Sequence, residues 1–161
     1  MNNTLIFDHN TSYMSFFLPD TQEYVGFWYQ DFMKGVELLE SAETIVTFNG
    51  FNSDMPELER WYENETGKSL CLNADPIDML MLVYGAFIES LYDLYKYNWP
   101  LETLPVYEDL DLANRDDKYV CSQRYDVFAT YKIWDAFNQC KLRCAYFDRE
   151  LYLQDPDCYR S

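Results

Sequence analysis

Thr44-Ile45-Val46-Thr47-Phe48-Asn49-Gly50-Phe51-Asn52-Ser53-Asp54 is the stretch on which the fold turns. Its first five residues are β-branched or aromatic without interruption, which predicts a short strand, because such side chains fit a pleated, packed surface. Asn49-Gly50 is a turn dipeptide. Ser53 then stands as a candidate helix cap, and Pro56 falls in the first turn, where a missing N–H costs nothing. A helix is expected from Ser53 to Tyr62.

Working back toward the N-terminus, Phe32, Val36 and Leu39 fall at helical spacing between Gln30 and Glu43. Before them come three β-type runs, Thr4 to Phe7, Tyr13 to Leu18 and Glu23 to Trp28, separated by turn residues. The expectation is an antiparallel three-stranded meander, then a helical crossover that returns the chain to Thr44. A strand reached by such a crossover lies parallel to an earlier one, here the first. The fold class is therefore α/β, a mixed sheet flanked by helices.

Working forward, Met79, Val83, Phe87 and Leu91 recur at every fourth position within Pro76 to Tyr97 and predict one long buried helix, with Gly85 as a point of bending. Pro100 and Pro105 mark an irregular connection through the acidic stretch Glu108 to Asp117. A final helix is expected from Lys118 to Phe137, with residues 138–161 as a C-terminal extension.

The chain has 161 residues, 48% of them apolar, which is enough for one compact domain and too little for two ordinary ones. An aromatic share of 19% excludes a disordered chain, which needs a shortage of large apolar groups. The formal charge of -16 repels phosphate on average, so nucleic-acid binding requires divalent cations at an acidic site and local clustering of Lys and Arg. Five cysteines leave at least one unpaired, no apolar run at the N-terminus reads as a signal peptide, and a cytoplasmic location is expected. Cys140, Cys144 and Cys158 lack an accompanying His and a zinc-knuckle spacing. No stretch is long and apolar enough to span a bilayer.

Three local signatures, in order, resemble the motifs of DEDD-type 3'-5' exonucleases of the ribonuclease H-like superfamily. Leu5-Ile6-Phe7-Asp8-His9-Asn10-Thr11 is similar to the first, an apolar strand ending in Asp-x-Glu-Thr, with Asn10 in the Glu position. Residues 47–54 resemble the second, in which an Asn follows a strand and an Asp opens a helix, although Ser53 stands where an aromatic is usual. Tyr125-Asp126-Val127-Phe128-Ala129-Thr130-Tyr131 resembles the third. The resemblance spans about residues 4 to 137. It implies a ribonuclease H-like fold, with Asp8, Asp54 and Asp126 holding two magnesium or manganese ions and Asn10 as a weak fourth catalytic position. Asn49, Tyr119 and Ser122 would lie against the substrate, a single-stranded DNA or RNA 3' end. Period-two geometry puts Asp8 and residue 10 on one face of their strand and His9 on the other.

The departures are as specific as the matches. Asn10 supplies one neutral oxygen where the family has a carboxylate. Family members place a Tyr or His four or five residues before the third Asp, and here those positions are Ser122 and Cys121. Each acid also has a plainer reading: Asp8 as a turn residue, Asp54 as an answer to the helix dipole, Asp126 as a boundary carboxylate paired with Arg124 or Lys132. His9 is expected to pack against the sheet. Two alternatives to an active exonuclease follow: a domain of the same fold that binds a protein or nucleic-acid end without cutting, and an acidic nucleic-acid mimic that occupies a basic groove on a protein partner.

Overall fold

The structure is a computed structural model, and it describes residues 3–83 and 90–143. Its centre is a five-stranded mixed sheet with strand order β3-β2-β1-β4-β5. β1 (Thr4–His9), β2 (Tyr13–Leu18) and β3 (Glu23–Trp28) form the antiparallel meander, joined by the turns that their Asn, Ser and Pro residues predict. A 3-10 turn (Tyr29–Asp31) leads into α1 (Phe32–Glu40). That helix returns the chain to β4 (Thr44–Thr47), which pairs parallel with β1 as expected. Gly35 lets α1 lie tightly on the sheet, since a Cβ there would sit 2.2 Å from Met14 Sδ.

α2 (Asp54–Thr66) follows the loop after β4 and is closed by Gly67 at φ 69°, a left-handed cap that glycine adopts without steric cost. Ser53 makes no capping hydrogen bond, so that expectation is corrected; the first residue of the helix, Asp54, carries the acid that matters. The single long helix expected across Pro76 to Tyr97 is also corrected. Asp75–Asp78 forms β5, parallel to β4 at the edge of the sheet, then come α3 (Met79–Val83) and α4 (Leu91–Asn98). An edge strand tolerates Pro76 because only one side of it is paired. Gly85 and Phe87 lie outside the described residues. α5 (Arg115–Asn138) begins earlier than expected because Asn114 caps it, its side chain accepting the N–H groups of Asp116 and Asp117.

The strand pleat divides the core in two. On one face Leu5, Phe7, Met14, Phe16 and Ile45 pack with Phe32, Val36 and Leu39 of α1 and Leu58 of α2. On the other, Ile6, Phe17 and Val46 pack with Met79, Val83, Leu94 and the α5 residues Val127, Ile133 and Phe137. Among the described residues no helix is long and apolar enough to cross a membrane. Cys71, Cys121 and Cys140 are free thiols, and Cys144 and Cys158 lie outside the described residues.

Candidate active site

Alternation along β1 sends Ile6 and Asp8 to the face covered by α5, and α5 brings Asp126 against the end of that strand. Asp54 arrives from the tip of α2, 4% exposed, with Oδ1 accepting the His9 backbone N–H at 3.2 Å. The Asp8 carboxyl lies within hydrogen-bonding reach of both Asp54 and Asp126. Three acids separated by 118 residues of chain thus meet in one place, and Asp8 is the hinge between the other two.

Among the described residues no ion pair involves these acids. Arg124, weighed as a partner for Asp126, instead grips Asp109 with two hydrogen bonds of 2.8 Å, and Lys132 pairs with Glu102 at 3.1 Å. Without a cation, burial makes each acid hold its proton more tightly. Asp8 rises well above the usual carboxylate range through burial, reinforced by the charges of Asp54 and Asp126. Burial pushes Asp54 up to about 7, and Asp126 is raised by the same cause.

Two side chains that the motifs did not point to complete the surroundings. Tyr92, from α4, donates its hydroxyl to Asp126 Oδ1 at 2.5 Å; burial first, then this contact with Asp126, holds its phenol in the protonated form. Asp78, at the end of β5 and 2% exposed, accepts the N–H groups of Asn49 (2.8 Å), Phe51 (3.1 Å) and Leu80 (3.0 Å). It thereby sets the loop between β4 and α2, where Asn49 takes φ 65°. Only long-range pairing reveals either residue. A cavity of about 340 Å³ opens between these elements, lined by Asp8, Asn49, Ser90, Tyr92, Asp126 and Thr130 among others.

The remaining candidates divide. Asn49 reaches this cavity. Asn10 lies just past the end of β1, where its oxygen accepts the N–H groups of Ser12 (2.9 Å) and Tyr13 (3.0 Å) and its amide donates to Gln123 Oε1 at 2.9 Å. With both lone pairs taken by backbone, Asn10 holds the β1–β2 turn and is not turned toward the acids as a fourth donor. Tyr119 sits beside Asn10 and feels the charges of Asp8 and Asp126, its phenol raised chiefly by burial. Ser122 is exposed and donates to the Tyr119 carbonyl at 2.7 Å, and Cys121 is buried. His9 points to the opposite face as expected, 4% exposed against Phe7 and Phe32, and burial lowers its pKa to about 4.

Three converging carboxylates with no Lys or Arg ion-paired to them among the described residues form a donor set of the hard-oxygen type that suits magnesium or manganese. They fit such an ion by chemistry. Among the described residues, however, no group of three or more His, Cys, Asp or Glu is arranged to hold a metal ion. The raised affinity of each acid for its proton also opposes ion binding, which must displace that proton. No model of a known protein family matches the chain, and no curated protein matches it at a significant level.

Proposed function

We propose that this chain is a ribonuclease H-like domain of the DEDD 3'-5' exonuclease type, a metal-dependent hydrolase of nucleic-acid phosphodiesters working with three carboxylates in place of four. The observation that supports this reading is the meeting of Asp8, Asp54 and Asp126 from β1, α2 and α5, beside a cavity open to a ligand. A strand order with β1 between an antiparallel and a parallel neighbour agrees with it.

In this reading Asp8, Asp54 and Asp126 hold the ion, and Asn49 lines the space for the strand end. A bound divalent ion supplies charge neutralisation at the phosphoryl oxygens and an acidified water. The Tyr92 hydroxyl, reaching Asp126 from α4, orients that acid, whereas family members place a Tyr or His on the helix of the third acid itself. Asn10 contributes no negative charge, so ion affinity and rate both fall below those of a four-carboxylate site.

Labelled single-stranded DNA and RNA incubated with manganese should shorten from the 3' end, faster with Asn10→Glu and not at all with Asp126→Asn. Absence of product from both the natural chain and Asn10→Glu would remove the hydrolase reading. The engagement of the Asn10 oxygen by the turn favours a second reading, a domain of the same fold that binds without cutting. Product from Asn10→Glu alone would select that second reading.

A further inference from the structure

We propose that a second pocket, adjoining the aspartates through Asn10 and Tyr119, binds one nucleotide unit of a single strand, with the base on the Trp28–Tyr119 ring pair and the phosphate on Arg115 and Lys118. This deepens the function proposed above and rests on it for the identity of the strand. The pocket encloses about 460 Å³ between the end of β3, the β1–β2 turn and the first turns of α5.

The ring pair is a prepared surface. Trp28 and Tyr119 stack with centroids 5.7 Å apart and planes 25° from parallel, each half-buried and each lining the pocket. Tyr13 braces both edge-on, at 4.9 Å from Trp28 and 6.3 Å from Tyr119. It reaches that position because Gly26 has no Cβ, which would lie 1.6 Å from the Tyr13 hydroxyl. Rings held this way lose little freedom when a base stacks on them, and every base has a face to offer.

The charge is equally local. In a chain of net charge -16, Arg115 and Lys118 are exposed, lie three residues apart on one side of α5, and form no ion pair among the described residues. Lys34, Arg124 and Lys132 are all paired with acids. Asp116 shares the rim and opposes an anion. The helix end itself offers nothing extra, since Asn114 already takes the Asp116 and Asp117 N–H groups. Two unpaired cations beside a stacked indole and phenol match the alternation of phosphate and base in a strand. Tyr119 touches Asn10 and lies close enough to Asp8 and Asp126 to feel their charges, so the pocket neighbours the acids.

Tryptophan fluorescence of the full chain in EDTA, without any metal, reads this pocket independently of hydrolysis. The probes are tetradeoxyadenylate, adenosine monophosphate and adenosine. Tetradeoxyadenylate and adenosine monophosphate should both quench more tightly than adenosine, with Trp28→Phe removing most of the quench. Arg115→Ala with Lys118→Ala, both exposed positions that leave folding intact by thermal unfolding, should weaken tetranucleotide binding about tenfold or more. The same pair should lower the slope of log affinity against log salt by about 0.7, as expected for one phosphate of a single strand. Unchanged binding in the double variant, no quench, or adenosine binding as tightly as the two phosphate-bearing probes would each overturn the proposal. A chain that binds as described yet never cuts overturns only the hydrolase reading. A chain that cuts with manganese while the double variant keeps its KM and affinity overturns only the pocket.

Discussion

The hydroxyl of Tyr92 donates to Asp126 Oδ1 across 2.5 Å, tying α4 to α5 at the point where the three acids meet. Removing it with Tyr92→Phe leaves the half-buried Asp126 short of a donor without opening a cavity. The expected cost is about 1 to 3 kcal/mol in urea unfolding. A change within experimental error would mean that Asp126 draws its support from elsewhere.

Asp78→Ala should be costlier. Three backbone N–H groups, those of Asn49, Phe51 and Leu80, lose one charged acceptor inside the fold. About 3 kcal/mol or more is expected, together with faster amide exchange at Asn49 and Phe51. Full amide protection in the variant would contradict this.

Asn10→Glu exchanges a turn former for a charge. Without metal the variant should be less stable by about 1 to 2 kcal/mol, because the Ser12 and Tyr13 N–H groups lose their acceptor. With manganese its melting temperature should rise more than that of the natural chain. An equal rise in both would show that position 10 does not reach the ion.

The acids make stability depend on pH in a definite direction. Between the ordinary aspartate range and about pH 7 the folded chain keeps an Asp54 proton that the unfolded chain has lost. This contribution is present at low pH and disappears as pH rises through about 7. His9 acts oppositely: its pKa is lowered to about 4, so stability falls as pH drops from the ordinary imidazole range toward that value. Urea unfolding at pH 5 and pH 8 should therefore show Asp54→Asn gaining on the natural chain as pH rises. Manganese should stabilise more at pH 8 than at pH 5, since fewer protons must then be expelled. Parallel behaviour of the two chains would refute this proton account.

The meander, α1 and β4 were readable from residues because their signals are local: β-type runs bounded by turn chemistry, and apolar spacing at Phe32, Val36 and Leu39. β5 is hidden by Pro76, which reads as a helix start or a break, and by the apolar run after it, whose helical period begins at Met79. The three acids are singled out by the resemblance of three local motifs to a known family, and strand alternation adds only that Asp8 and His9 face opposite sides. The parts missed were relationships with no local trace. Nothing near Tyr92 in sequence announces Asp126, 34 residues away, and nothing near Asp78 announces the Asn49 amide. Asn10, expected on the strand beside Asp8, falls one residue past its end, and the direction of its oxygen is set by the hydrogen bonds within the turn.

With its one imidazole sealed among Phe7 and Phe32, the molecule has lost the usual neutral-pH buffer. Burial brings Asp54 up to about 7, so this carboxyl can release a proton near neutrality. An unbuffered solution of the chain would acidify as a divalent salt is titrated in, and a pH electrode would count occupancy of the site without substrate, label or catalysis.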